Sequence, residues 1–244
     1  MKIDLPQNGS AHRPGSTTLA SSPRRSWGSI IRAAFLVRRE RWTLTWTGKL
    51  LVLLVVAALT AAIGRGACSF LAITNPIGGQ FLVVEGWMPS YAYREAAAQF
   101  RKGGYQKAIA AGTLDWDASG ELRRHSGGDG LVRFGIPGEL VVTTSSDEVL
   151  YDRTFHAAMA VKRWLQDQGL RTTSIDIVTI GPHARRSRLL YEKALGAEVK
   201  VGVIAIEDRR FDANHWWRSS VGVRTVMGEA IAYMYVRLFF WASQ

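Results

Sequence analysis

The chain has 244 residues, 47% of them hydrophobic, with 24 Gly, 7 Pro and one cysteine, Cys68. That composition excludes collagen-like chains, disulfide scaffolds and multi-cysteine zinc sites, and the length allows one full domain with an appendage or two small ones. The net charge of +11 is uneven: residues 1–49 hold nine Lys/Arg against Asp4 and Glu40, a local +7, while the other 195 residues carry +4, which argues against nucleic acid as the partner of the folded part.

Residues 1–23 are rich in Pro, Gly, Ser and Thr with no apolar period, the pattern of a disordered tail. From Trp27 to Trp42, Ile30, Ile31, Phe35 and Val37 alternate with arginines. An amphipathic helix on anionic lipid and a solvated juxtamembrane helix both fit.

Leu50 to Gly64 is uncharged, with Trp42 and Trp46 at its edge. A span needs about 20 residues. Trp46 to Ala67 supplies them if Lys49 and Arg65 reach toward opposite interfaces. A buried core helix is the alternative. A cleaved signal peptide fits poorly, because its basic region would be 49 residues long and Arg65 stands where a lipoprotein signal has an aliphatic residue before Cys68. The basic flank places the N-terminus in the cytoplasm and the rest of the chain outside it. The expected domains are a basic cytoplasmic tail (1–45), a transmembrane helix (46–67) and an α/β domain (78–244).

Beyond Pro76 the chain alternates short apolar runs with helical patterns. Strands are expected at Phe81–Glu85, Lys107–Gly112, Glu139–Thr144, Ile175–Ile180 and Val199–Ile206. Helices are expected at Tyr91–Gly103, after a cap at Asp152 with apolar positions Phe155, Ala158, Val161 and Leu165, at Pro182–Gly196, and at Val226–Trp241. The predicted fold class is α/β, a three-layer Rossmann-like sandwich with a mostly parallel sheet, preceded by one transmembrane helix.

Ligands of such sheets bind at the carboxyl ends of strands. Gly181-Pro182-His183-Ala184-Arg185-Arg186 follows a strand directly, Pro182 suits a first helical position, and His183 and Arg186 share a face. Together with free amides at the helix start they fit phosphate or carboxylate; a solvated basic helix start fits the same residues. Glu85 ends the first strand as a candidate base, Gly86 would let a backbone approach a ligand, and Thr154 opens the middle helix. Glu229, in the last apolar helix, needs a partner, for which Arg94 and Arg186 are the candidates.

Other motifs fail. Asp115-Trp-Asp-Ala-Ser-Gly120 begins like a calcium loop, but its twelfth position is Ser126 where a bidentate Glu is required, so a turn is expected. No dinucleotide fingerprint, Walker loop, nucleophile elbow or zinc-protease motif occurs, and the five histidines lack ligand spacing. No metal is assigned and no cofactor can be named.

In order, Gly86, Arg94 with Ala97, Thr154, His183 with Arg186, and Glu229 resemble the pattern of the ElyC/SanA/YdcF family, supported by Phe134-Gly-Ile-Pro137 and Trp216-Trp217-Arg218. The resemblance covers about residues 80–241. It implies a Rossmann-like domain tethered to the bacterial inner membrane and associated with envelope integrity and peptidoglycan or lipid-carrier metabolism. A fold by itself assigns no reaction. Two functions are therefore expected as alternatives. In the first, the domain binds or acts on a phosphorylated or nucleotide-like small molecule or lipid-linked phosphate, with Arg186 and Arg94 clamping the anion, His183 as acid or base, and Thr154 and Glu85 positioning the ligand. In the second, it is a non-catalytic envelope scaffold acting through Phe239, Phe240 and Trp241.

Overall fold

Each predicted parallel strand is apolar on both faces, as a strand must be when helices cover both sides of its sheet. In the computed structural model, which describes residues 45–116, 122–124, 127–146 and 151–240, these strands are β1 (Phe81–Glu85), β2 (Lys107–Trp116), β4 (Val141–Ser146), β5 (Ser174–Ile180) and β6 (Lys200–Ile206). They form an all-parallel sheet in the order β4-β2-β1-β5-β6. A short β3 (Leu122–Arg124) pairs antiparallel with the end of β2. Strand β2 thus runs through Asp115 and Trp116, where a turn is expected to begin, and the rest of that motif lies outside the described residues.

The helices are α1 (Trp46–Leu71), α2 (Ser90–Gly103), α3 (Gly127–Arg133), α4 (Arg153–Asp167), α5 (Ala184–Leu195) and α6 (Ser220–Leu238). Helix α2 buries Ala92, Tyr93, Ala96, Ala97 and Phe100, a stripe of helical period, and ends at Gly104 with φ 67°. With Leu131 of α3 it covers Leu82 and Val84 of β1 and Ala108 and Ala110 of β2. On the other face, Ala157, Ala158, Val161 and Leu165 of α4, with Ala184, Tyr191 and Ala194 of α5, cover Phe81, Val83, Ile109, Ile175 and Ile177. The helices change faces after β4, as right-handed crossovers require once the chain returns to lay β5 beside β1. Between β1 and β5, in register from Phe81↔Ile175 to Val84↔Val178, lies the switch point where a doubly wound sheet opens a crevice.

At the opposite end of these strands, the fully buried Asp176 accepts hydrogen bonds from Ile77 N at 2.8 Å, Gly79 N at 2.9 Å and the Tyr105 hydroxyl at 3.0 Å. The segment entering β1 is pinned there.

Helix α1 is long and apolar enough to cross a membrane: none of its most apolar 18-residue window, of mean hydropathy 2.2, is buried. That removes the buried-core alternative. The helix continues beyond the expected end at Ala67, because its last turns are part of the domain. Cys68 and Leu71 are buried with Trp216 and Val226, and Trp216 Nε1 donates to the Gly64 carbonyl at 3.2 Å. Phe70 meets the Tyr233 ring edge-on at 5.8 Å, while Arg185 stacks on Phe70 at 4.0 Å and donates to its carbonyl. Arg65 lies 5.4 Å from the Trp217 ring. The basic tail 1–45, apart from Thr45, and the amphipathic segment 27–42 lie outside the described residues, as does Trp241.

Helix α6 begins at Ser220, earlier than Val226, because the Ser219 hydroxyl caps it by accepting from Gly222 N at 2.9 Å. Glu229 therefore sits in the middle of the helix.

Candidate active site

The crevice at the switch point is a cleft of about 480 Å³ lined by the ends of β1, β2 and β5, the start of α4, the start of α5 and the side of α6. Glu85, the last residue of β1, forms its floor and is 3% exposed. Burial of this kind raises the free energy of a carboxylate unless donors face it. Three do: the Thr179 hydroxyl at 2.6 Å, the Ser187 hydroxyl at 2.7 Å, and His183 Nε2 at 3.5 Å. Burial pushes the Glu85 carboxyl up, but the positive His183 and the two hydroxyls outweigh it, and the net shift is downward.

His183 is placed by a short turn, Gly181–His183, between β5 and α5. The turn needs φ +43° at Gly181, where a Cβ would also stand 3.2 Å from Asp208 Cβ. The imidazole is pinned at its other nitrogen: Nδ1 is 2.9 Å from Glu229 Oε1 and 2.9 Å from Arg186 Nη2. One nitrogen cannot donate to the first and accept from the second. The imidazolium resolves this, with Nδ1–H donating to Glu229 while Arg186 donates to both oxygens of the same carboxylate, Nε to Oε2 at 2.8 Å and Nη2 to Oε1 at 3.1 Å. Burial alone would depress the imidazole, but the Glu85 charge and hydrogen bonds to Glu229 and Glu85 lift it to about 9. Glu229, likewise opposed by burial, is drawn down to about 2 by hydrogen bonds from His183 and Arg186. Two anions and two cations thus neutralise one another inside the domain.

The linkage sign follows. An imidazole raised from 6.5 to about 9 contributes stability that is complete below 6.5 and lost as pH rises through 9. A carboxyl lowered from 4.5 to about 2 contributes stability present above 4.5 and lost as pH falls through 2. Denaturant unfolding of the whole protein is expected to show a plateau from pH 4.5 to 6.5 and an alkaline loss of about 3 kcal/mol from His183 between pH 6.5 and about 9. His183→Gln should flatten the alkaline limb.

Thr154 and His183 Nε2 are also 3.5 Å apart. Both neighbours of Nε2 are therefore beyond the usual hydrogen-bond range of about 2.7–3.2 Å, whereas Nδ1 is tightly held. The Trp87 ring closes over the imidazole edge-on at 5.2 Å. On the rim stand Asp152, Arg153, Arg210 and Arg224. Arg210 pairs with the buried Asp208 at 2.7 Å; Arg224, exposed on α6, has no ion pair among the described residues.

Of the residues singled out in the sequence, Glu85, Thr154, His183, Arg186 and Glu229 line this one cleft. Arg94 does not. It points away on α2, exposed and stacked on the Phe134 ring at 5.3 Å, so Glu229 is paired with Arg186 and Arg94 clamps nothing here. Gly86 is buried beside the cleft rather than lining it: its N–H donates to the Ala111 carbonyl at 2.7 Å, and a Cβ would come within 3.1 Å of that oxygen. Its smallness serves the packing of β1 on β2. Asp152 stands at the cap position of α4 with φ 49°, but its side chain makes no cap hydrogen bond; its carbonyl accepts from Phe155 N and His156 N instead. Nor is His183–Arg186 an open cationic pair, since Glu229 and Glu85 already engage it. Thr179, Ser187, Asp208, Arg210 and Arg224 were not anticipated. Ser187 could have been found, lying one helical turn beyond His183 on the same face.

No family model and no curated protein matches the chain.

Proposed function

We propose that the chain is a membrane-anchored cell-envelope protein whose extracytoplasmic α/β domain binds or acts on a phosphorylated or nucleotide-like small molecule in this cleft. It is proposed to reside in the bacterial inner membrane with its N-terminus in the cytoplasm, as the basic flank of α1 favours. The observation that carries the ligand reading is the looseness of His183 Nε2, which is 3.5 Å from both Glu85 and Thr154, all three being residues that line the cleft, while Nδ1 is tightly held. An anionic oxygen approaching Nε2 and the Thr154 hydroxyl from the cleft side can accept from both. The resemblance to the ElyC/SanA/YdcF family adds support through the meeting of Thr154, His183, Arg186 and Glu229 in one place, although Arg94 stands apart.

The division of labour differs from the one expected from sequence. Glu229 holds the imidazole charged and oriented, and Arg186 fixes Glu229 in place although its own charge works against the imidazolium, which makes both positioning residues. His183 is the donor, and as an acid of pKa about 9 it can protonate a leaving oxygen at neutral pH. Glu85, buried beneath two hydroxyl donors, stabilises the imidazolium. The ligand's remaining negative charge falls to the rim, above all to Arg224.

A thermal-shift series on the full-length protein in nanodiscs, with inorganic phosphate, nucleotides and a sugar phosphate, tests this reading. A ligand at a hundred times its Kd should stabilise the protein by about 2.7 kcal/mol. Arg224→Ala, an exposed change that leaves the buried cluster intact, should weaken the shift. If the folded protein responds to none of these anions, the ligand reading fails and a scaffold acting through protein partners takes its place.

A further inference from the structure

Helix α6 has three distinct sides. At roughly 100° per residue, Val226, Ala230 and Tyr233 fall together on the side packed against the end of α1. Arg224, Thr225, Gly228 and Glu229 fall on the side that lines the cleft. Between them runs an arc of roughly 120° holding Val223, Met227, Ile231, Met234, Tyr235 and Leu238, all exposed, with Ile231 at 67%, and Arg224 stands at its cleft-side edge. Isolated surface apolar residues need no explanation, but a continuous stripe along a whole helix does.

We infer that this stripe rests on the lipid bilayer, so that α6 lies in the membrane interface and the cleft opens beside it. The inference depends on the reading of α1 as a membrane span. What specifies lipid as the occupant is continuity. The stripe borders the seam with α1, whose own exposed surface is uncharged from Leu50 to Ile63 and meets its next charge at Arg65, just before Cys68 and Leu71 enter the domain. The lipid-facing surface of α1 and the stripe of α6 meet along that seam.

The surroundings agree. Trp217 and Arg65 lie together beside the seam, as an aromatic ring and a cation do at headgroup level. Arg218 and Arg237 are exposed on or just before α6, positioned to meet lipid phosphates. Glu229 is the sole acidic residue of the helix, and it is turned into the cleft and paired. An apolar stripe with flanking arginines and no exposed acid is the surface of a helix that lies on a membrane.

The test uses the full-length protein in nanodiscs of phosphatidylethanolamine and phosphatidylglycerol. A polarity-sensitive fluorophore is placed at Ile231→Cys, Met227→Cys, Val55→Cys and Arg163→Cys in turn; the parent chain checks that buried Cys68 stays unlabelled. Lipids brominated near the headgroup or deep in the chain serve as quenchers. The labels at 227 and 231 are expected to emit blue-shifted light and to lose most of it to the shallow bromines. The label at 55 should lose its light to the deep ones, and the label at 163 should be indifferent to both. Quenching at 55 without quenching at 227 and 231 overturns the inference while leaving the anchor in place. No quenching at 55 removes the anchor reading and the inference with it. Blue-shifted but unquenched labels at 227 and 231, in discs whose mass corresponds to two copies, would show that a second copy covers the stripe, and the inference would be wrong.

Discussion

Replacing Glu85 with alanine is expected to cost about 4 kcal/mol of folding stability and to switch off the His183 charge at neutral pH. The carboxylate is 3% exposed and holds two hydroxyls, so its removal leaves Thr179 and Ser187 without their acceptor and strips His183 of its largest favourable charge. Breaking a buried ion pair by removing one partner costs about 3–5 kcal/mol, mainly through the partner left behind. The imidazole responds by changing its own ionisation. Burial, which already works against the charge, is no longer outweighed by Glu85, and its pKa moves down from about 9. Glu85→Gln keeps the shape and one carbonyl acceptor, so it should lose roughly half as much stability while lowering the imidazole in the same direction. Chemical denaturation gives the first quantity and the pH dependence of the His183 ring resonances gives the second. Loss of stability in both variants with an unmoved imidazole would mean that Glu85 only fills space.

A comparable loss is expected at the other end of the sheet, with no effect on the cleft. Asp176→Ala leaves the buried Gly79 N–H and Tyr105 hydroxyl, and the part-buried Ile77 N–H, without their acceptor. Each such orphan costs about 1–3 kcal/mol, so a total of about 4 kcal/mol is expected. Gly202→Ala attacks the same point sterically, because its Cβ would fall 1.8 Å from Asp176 Oδ1. Both changes should lower the denaturant midpoint without altering the slope, and the His183 titration should keep its position in whatever fraction remains folded. A shifted titration would show that the two ends of the sheet are coupled.

The parallel strands were legible because each is apolar on both faces and bounded by turn residues; Phe81–Glu85 and the end of Ile175–Ile180 fall where the sequence places them. Helix α3 was not. Gly127, Gly128 and Gly130 are poor helix formers, and they are present because the helix presses against its neighbours: a Cβ at Gly128 would meet Thr143 Oγ1 at 2.3 Å, and one at Gly130 the Tyr93 ring at 3.0 Å. Tertiary packing overrides propensity there. In the cleft, His183, Arg186, Glu85 and Thr154 could be read because strand ends and helix starts converge at a switch point in any sheet of this kind. Arg94 was misplaced through helical phase. Its neighbours Ala92, Tyr93, Ala96 and Ala97 are the buried positions of α2, which turns Arg94 outward. The pairing of Glu229 with both His183 and Arg186 depends on how the last helix returns across the domain, and no local pattern encodes that.

The seat of α1 on the domain bears on how the protein can be cut. Leu71 is fully buried and Cys68 nearly so, against Trp216 and Val226, and Asn75 still pairs with Val203 of β6 beyond the helix end. A soluble fragment beginning after these residues would open a hole in its own interior, baring Trp216 and also Val226, which is three residues from Glu229. What resembles a leash is a structural wedge, and cutting α1 away from the domain removes part of what keeps its catalytic candidate in shape.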